Sequence, residues 1–210
     1  MPFDLDAVDA SVLGALIEKE MSTPDYYPMS LNALTNACNQ KTNRDPVLSL
    51  DQPAAERALE RLRARKLALS RTGDSRVPKH AHRASETLNL GNPDLVVLCV
   101  LLLRGPQTVG ELRSRTQNLR AFDDLDAVES CLRRLMERQP EPLVKKLPRQ
   151  AGMKESRYVH LLCGDVEAVE PAAAPERRDR IAELEATVES LTRELRDLRQ
   201  QFADFRKQFE

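Results

Sequence analysis

The sequence predicts a mainly α-helical protein with small β-hairpins, organised as two tandem winged-helix domains followed by a coiled-coil helix. A short helix, a polar connector, an arginine-rich helix and a hairpin pattern follow one another between residues 30 and 85. The same order of patterns returns between residues 92 and 163, and apolar residues recur with 3-4 spacing towards the C-terminus. The expected boundaries are 1–85 and 86–164 for the two winged-helix domains, 165–176 for a linker and 177–210 for the coiled coil.

Composition excludes several classes of protein. Of the 210 residues, 31% are charged and 4% aromatic, with no tryptophan, which favours helices over a β-sandwich. The longest apolar run, Leu95 to Leu103, has nine residues, whereas a membrane span needs about 20. The N-terminus lacks the basic and apolar regions of a signal peptide. Four widely spaced cysteines form no C-x-x-C motif, so we expect reduced, mostly buried thiols in a cytoplasmic protein.

Periodicity and capping residues place the elements of the first domain. Apolar residues keep a helical period over residues 5–20, which predicts a first amphipathic helix. Ser30 can cap a second helix that ends at Asn39, and Asp51 can cap a third. The segments LALSR and RVPKHAHR flank a T-G-D-S turn and predict a β-hairpin.

The third-helix pattern repeats later in the chain, which indicates an internal duplication. Arg134 and Arg138 follow Arg61 and Arg65 at a constant offset of 73 residues, while Ser130 takes the place of an arginine. At the same offset, one apolar triplet replaces another: Val128, Leu132 and Leu135 for Ala55, Leu59 and Leu62.

The run Leu95–Leu103 predicts a helix that is apolar on every side. Such a helix has more surface to bury than one small domain can cover. We expect it to be largely buried at the contact between the two domains, or against another chain. A buried strand is the alternative, which the helix-capping signals disfavour.

Charge is distributed unevenly, although the net charge of the chain is only −1. Residues 1–39 carry −5, residues 40–85 carry +6, residues 86–164 carry +2 and residues 165–210 carry −4. A local positive field of this kind can attract DNA. The predicted nucleic-acid-binding residues lie on the third helix, its connector and the wing: Lys41, Asn43, Arg44, Arg57, Arg61, Arg65, Arg71, Arg76 and Lys79. The alternative is a solvated helix face on which Glu56 and Glu60 pair with the arginines.

The C-terminal region predicts self-association, most simply as a homodimer. Apolar residues fill the a and d positions of a heptad pattern without a break. The predicted oligomerisation residues are Ile181, Leu184, Val188, Leu191, Leu195, Leu198, Phe202, Phe205 and Phe209. A single long helix that folds back onto the body is the alternative.

Spacing assembles neither a catalytic set nor a phosphate-binding glycine loop, so we expect no enzyme activity and no cofactor. His80 and His82 have metal-capable spacing on a strand, but no third ligand is evident nearby, and Lys79 and Arg83 would repel a cation. No metal site is therefore predicted.

The segments EKEMSTPDYYP and NACNQKTNRDP, followed by the arginine-rich helix, resemble the YceH-type family of uncharacterised bacterial proteins. The resemblance covers about residues 5–163. It implies tandem winged-helix domains and supplies no catalytic or ligand-binding residues. Two winged helices in one chain also look like the kleisin-associated chromosome-segregation proteins, which use this fold for protein contacts; that similarity is one of fold only.

Two functions follow from these patterns. The first is a dimeric DNA-binding regulator that contacts duplex DNA through the basic residues of the first domain. The second is a protein-interaction adaptor with the same fold. A continuous basic surface would favour DNA, whereas a surface interrupted by Asp45, Glu56 and Glu60 would favour the adaptor.

Overall fold

A computed structural model describes residues 3–71, 77–149 and 153–165. Arg76, at the start of the second predicted strand of the first wing, lies outside these ranges. So do the predicted linker beyond Asp165 and the whole predicted coiled coil with its nine oligomerisation residues.

The first half of the described chain contains four helices, a 3-10 turn and one hairpin. In chain order they are α1 (Ala7–Ser22), the turn Pro24–Tyr26, α2 (Leu31–Cys38), α3 (Gln52–Ala64), β1 (Ala68–Arg71), β2 (Lys79–His82) and α4 (Ala84–Thr87).

The second half repeats the order of three helices and a hairpin. Its elements are α5 (Asn92–Arg104), α6 (Val109–Thr116), α7 (Leu125–Glu137), β3 (Val144–Lys146) and β4 (Tyr158–His160). The described chain is thus mainly helical with two small antiparallel hairpins, as the sequence predicts.

Side-chain caps fix where the helices begin. The Asp6 carboxylate accepts a hydrogen bond from the backbone N–H of Asp9, and Asp9 reciprocates, which forms a capping box at α1. Thr108 and Glu111 form the equivalent box at α6. Three further caps accept a backbone N–H at the start of α2, α3 and α7: Ser30, Asp51 and Asp124.

Each hairpin gains a third, single-residue partner. In the first, β1 pairs with β2 so that Ala68 lies opposite His82, and Met29 pairs with His80 on the other side of β2. In the second, β3 pairs with β4, and Gln107 bridges to Tyr158 in the same way. In each half, the residue just before the N-cap of the second helix therefore connects that helix to the hairpin.

Helices α1 and α5 form the centre of the described chain. Ten consecutive residues of each are buried, from Asp9 to Glu18 and from Asp94 to Leu103. The prediction that Leu95–Leu103 is a buried helix at the contact between the halves is confirmed. The prediction that the first helix is amphipathic is wrong, because α5 covers the side of α1 that α2 and α3 leave open.

The closest approach of α1 and α5 lies at Gly14. A Cβ atom at this position would stand 2.7 Å from Leu103 Cδ2 and 3.3 Å from Leu102 Cβ. Cys99 donates its thiol hydrogen to the Gly14 carbonyl at 3.4 Å. The absence of a side chain at residue 14 thus allows the two helices to pack closely.

Three of the four cysteines are buried, as expected, and Cys163 is half-buried. Burial raises the pKa of the Cys38 thiol to about 11. Within the described ranges, no helix is long and apolar enough to cross a membrane.

Candidate functional site

Arg44, which the sequence predicts to contact DNA, is buried. Its guanidinium makes a bidentate ion pair with Glu18 of α1, at 2.7 and 3.2 Å, and donates to the Ala37 carbonyl at 2.7 Å. Its side chain is only 1% exposed. The expectation of a surface contact fails for Arg44, because Glu18 is also buried and needs this cation to balance its charge.

The residues on either side of Arg44 join the two halves of the chain. Asn43 has a positive φ of 60°, and its side-chain oxygen accepts a hydrogen bond from the Arg104 guanidinium at the end of α5. The backbone N–H of Asp45 donates to the Leu103 carbonyl at 2.9 Å. We call Asn43, Arg44 and Asp45 the connector lock.

Hydrogen bonds also engage other polar residues of this connector. The Asn39 side chain accepts from the Leu50 N–H at 2.7 Å and donates to the Leu50 carbonyl at 2.8 Å. Gln40 accepts from Lys19 at 3.4 Å. Lys41 is exposed and has no ion-pair partner among the described residues. The NACNQKTNRDP segment therefore helps to hold the two halves together, and Lys41 is its one cation that is unpaired within the described part of the chain.

Arg61 is held against the start of α1. Its guanidinium lies 2.7 Å from an Asp9 oxygen and 2.8 Å from an Asp6 oxygen. These carboxylates raise the pKa of Arg61, with the hydrogen bond to Asp9 as the largest cause. Asp9 is almost fully buried, so the contact fixes α3 to α1 and neutralises Arg61.

Arg65 is engaged as well, through backbone carbonyls. It donates to the Phe3 carbonyl at 2.6 Å and to the Asp4 carbonyl at 3.0 Å. Of the predicted stripe, only Arg57 is exposed and without a partner in the described chain. The three arginines therefore do not form one free basic row.

The second half contains the same contacts. Arg134 of α7 binds Asp94 near the start of α5, at 2.6 Å, as Arg61 binds Asp9. Arg138 donates to the Leu88 carbonyl at 3.1 Å, as Arg65 does to Phe3. We call the pairs Asp9–Arg61 and Asp94–Arg134 the helix clamps. Their recurrence indicates that these arginines stabilise the repeated framework.

The exposed face of α3 carries charges of both signs. Its exposed charged residues are Glu56, Arg57, Glu60 and Arg63, so this face has no net charge. In the same helix, Ala55, Ala58, Leu59 and Leu62 face the core. The outward surface of α3 is thus interrupted by glutamates.

A basic cluster lies beside this face, at the first hairpin. Arg71 of β1 and Lys79 of β2 are directly opposite each other. Arg63 lies close enough to contribute to the lowered pKa of His80, for which burial is the larger cause. None of the three cations has an ion-pair partner among the described residues. We call Arg63, Arg71 and Lys79 the hairpin cluster.

A groove of about 480 Å³ separates α3 from β1. Its lining combines two charged residues of α3 with small and aliphatic residues of both elements: Glu60, Arg63, Ala64, Ala68, Leu69 and Ser70. The hairpin cluster therefore lies beside a groove whose lining is partly polar and partly apolar.

The two histidines of β2 have structural partners. His80 Nδ1 lies 2.8 Å from the Ser70 hydroxyl. His82 Nε2 lies 2.7 Å from a Glu20 carboxylate oxygen, and its Nδ1 accepts from the Ala84 N–H at 3.1 Å. Because Nδ1 is an acceptor, Nε2 carries the hydrogen that is donated to Glu20.

A second groove, of about 540 Å³, lies at the base of the other hairpin and includes Phe3, Met136 and Leu162 in its lining. Its two lysines are already engaged. Lys145 pairs with Asp165 at 2.7 Å, and Lys146 lies 5.7 Å from the centre of the Tyr158 ring. This groove offers apolar surface without free cations.

The structure brings together only part of the predicted interface. Arg71 and Lys79 are neighbours, whereas Arg57 is on α3 and Lys41 on the connector. Arg63 is not among the predicted residues, because it lies outside the stripe of arginines at every fourth residue. A helical wheel centred opposite the apolar residues of α3 would have placed Arg63 on the exposed side with Glu56 and Glu60.

Comparison with known proteins supports the resemblance seen in the sequence. The family model described as "Protein of unknown function, DUF480" matches residues 5–153. A UPF0502 protein of Solibacter usitatus is 53% identical over 210 residues, which is the full length of both chains. UPF0502 proteins of Pelobacter propionicus and Geobacter sulfurreducens are 51% and 49% identical, covering 100% and 98% of each chain.

Proposed function

The chain belongs to the DUF480 (UPF0502) family of bacterial proteins, and we propose that it is a non-enzymatic protein-interaction adaptor. In this proposal both halves are winged helices. The order helix, bridging residue, helix, helix and hairpin, present twice, supports that assignment.

The adaptor function is supported by one observation, which is that several of the predicted DNA-binding cations are already paired within the chain. Arg44 is buried on Glu18, Arg61 is neutralised by Asp6 and Asp9, and Arg65 binds backbone carbonyls. DNA binding needs cations that are free to displace counterions from phosphates. A neutral, mixed-charge helix face matches a protein surface better.

Photo-crosslinking in cells of the source organism tests this function. A photoreactive amino acid replaces Glu56 on the exposed face of α3. We expect discrete adducts that protease removes and nuclease leaves intact. Glu129, which is exposed at the equivalent position of α7, is the matched control position. An adduct at position 56 that nuclease removes would overturn the adaptor function.

DNA binding is the second candidate, because Lys41, Arg57 and the hairpin cluster are free of ion pairs in the described chain. If these cations contact phosphates, log K falls with log salt by about 0.9 per contact. Titration of labelled duplex DNA at low and moderate salt measures this slope. We expect weak binding that is unchanged when Arg57, Arg61 and Arg65 are all replaced by alanine. A steep slope that flattens in the triple variant would favour the DNA-binding regulator.

We further propose that residues 177–210 mediate self-association, as their heptad pattern predicts. Leu191→Asp places a charge at a d position, which costs several kcal/mol when it is buried. Sedimentation is expected to give a dimer for the wild type and a monomer for the variant. A monomeric wild type would contradict the proposal.

A further inference from the structure

The first hairpin has an unpaired edge beside a basic cluster. We propose that an acidic, extended segment of a partner protein adds as a strand to β1, in the groove between β1 and α3. This inference rests on the adaptor function proposed above and names the chemistry of the partner.

Backbone hydrogen bonds show which groups face the open edge. Among the described strands, β1 pairs with β2 alone. The Arg83 N–H donates to the Leu67 carbonyl at 2.8 Å, so residue 67 faces β2. Alternation along an antiparallel strand then directs the backbone N–H and C=O groups of Ala68 and Ser70 to the opposite edge. Both residues line the groove.

The groove can accept a strand with small or aliphatic side chains. Its apolar lining residues are Ala64, Ala68 and Leu69. An added strand lies about 4.8 Å from its neighbour. Its backbone bonds to β1 supply affinity, and its alternate side chains contact these lining residues.

The charge of the hairpin cluster selects an acidic segment. Like charges directly opposite each other on paired strands, such as Arg71 and Lys79, repel. Arg63 adds a third positive charge on the α3 side of His80, where Glu56 partly offsets its effect on the histidine. Carboxylates on the partner would relieve this repulsion. Glu60 is the only acidic residue that lines the described groove, so the acidic side chains are expected at the hairpin end.

The second half does not reproduce these properties. At the offset of 73 residues, Met136 stands in place of Arg63. Lys145 is paired with Asp165, and Lys146 lies over the Tyr158 ring. Strand addition is therefore expected at the first hairpin only.

A labelled peptide of alternating glutamate and valine, about ten residues long to match a long strand, is the probe. It is titrated against the full-length protein and followed by fluorescence anisotropy. A lysine–valine peptide tests charge, and a glutamate–valine peptide with N-methylated valines tests backbone pairing. We expect binding of the first peptide, none of the lysine peptide, and an affinity at least about tenfold lower for the methylated one.

Variants at Ser70 test whether the peptide pairs with the outer backbone edge of β1. Ser70→Pro removes the outward N–H, and edge strands tolerate proline. Ser70→Ala removes only the hydroxyl that contacts His80. We expect Ser70→Pro to weaken peptide binding about tenfold and Ser70→Ala to leave it unchanged. Circular dichroism confirms folding; if Ser70→Pro does not fold, the methylated peptide decides the question with wild-type protein.

Variants of the cluster test charge. Arg63→Ala and Arg71→Ala are each expected to weaken binding about fivefold, the size of an exposed ion pair. Arg133→Ala removes an exposed arginine of α7 and is the matched control, with affinity within about twofold of wild type.

The outcomes separate the two proposals. Equal binding of both charged peptides, no binding of the acidic peptide, or equal affinities of Ser70→Pro and Ser70→Ala would overturn strand addition. Protease-sensitive adducts at position 56 would then still support the adaptor. Duplex DNA binding that Arg63→Ala and Arg71→Ala abolish, together with nuclease-sensitive adducts, would overturn both.

Discussion

The two halves of the chain share their internal charges and differ in their surface charges. Each half clamps its third helix to its first through an aspartate and an arginine, Asp9–Arg61 and Asp94–Arg134. The hairpin cluster and the connector lock belong to the first half alone. A charge that recurs in both halves serves the fold, whereas a charge found in one half is a candidate for assembly or binding.

The connectors between the second and third helices of the two halves show this difference most clearly. The segment between α2 and α3 is five residues longer than the segment between α6 and α7. The longer connector carries Asn43, Arg44 and Asp45, which contact α1 and the end of α5. An insertion on one side of the duplication thus adds a second attachment between the halves, beside the packing of α1 against α5.

Breaking the connector lock is expected to have the largest effect. Arg44→Ala removes the close counterion of the buried Glu18 carboxylate and leaves only the Lys19 ammonium at 3.9 Å, which costs about 3–5 kcal/mol in the free energy of unfolding. Urea denaturation measures the loss. The double variant Glu18→Leu/Arg44→Leu removes both charges and is expected to recover most of the stability. A loss below about 1 kcal/mol for Arg44→Ala would contradict the role of the lock.

Variants of the two helix clamps test whether the clamps contribute equally to the stability of the two halves. Asp9→Asn is expected to cost about 2–3 kcal/mol and Asp94→Asn about 1–2 kcal/mol, since the second pair is more exposed to screening by water. The Arg61 side chain is 37% exposed and that of Arg134 55%. Chemical denaturation of both variants gives the comparison. If neither variant is destabilised, the repeated contacts do not carry the framework.

The equivalent histidines His82 and His160 also differ, because His82 contacts Glu20 whereas His160 Nδ1 has no hydrogen-bond partner among the described residues. Burial lowers the pKa of His160 to about 4. The unfolded chain therefore binds a proton at this histidine first, and stability falls as the pH drops from about 6.5 towards 4. At pH 5 this costs about 2 kcal/mol relative to pH 7.

Denaturation of wild type and His160→Gln across this pH range measures the effect. The variant is expected to lose the part of the pH dependence that comes from residue 160. Parallel curves for the two proteins would show that His160 is not the group responsible.

The smallest changes in stability are expected from alanine substitutions at two helical glycines. Gly14→Ala forces α1 away from Leu103, and we expect a loss of about 1–2 kcal/mol after the gain in helix propensity is subtracted. Gly110 has open space, with its nearest neighbour at 4.0 Å, so Gly110→Ala is expected to add about 0.5 kcal/mol. Thermal denaturation ranks the two variants, and equal shifts would refute close packing at Gly14.

Local patterns predicted most of the framework. The caps, the helical periods, both hairpins and the buried helix over Leu95–Leu103 all depend on residues near one another in sequence. The family resemblance was carried by a short, distinctive segment and is confirmed by the matches.

The predicted surface was less accurate, because long-range pairing decides which charges remain free. Arg44 stands in a polar connector that looks solvent-exposed, yet its partner Glu18 is 26 residues away. Arg61 and Asp9 are 52 residues apart. Periodic patterns do not reveal ion pairs between residues that lie far apart in the sequence. The positions of the arginines could therefore be predicted, but not the carboxylates and carbonyls that they contact.

The contact between Gly14 and Cys99 spans 85 residues, and this separation has a consequence during translation. When α1 leaves the ribosome, the apolar side that α5 will cover has no neighbour until those further residues have been made. Synthesis at about 5–20 residues per second leaves this side uncovered for several seconds. Until α5 arrives, the nascent first half therefore exposes apolar surface, which favours aggregation.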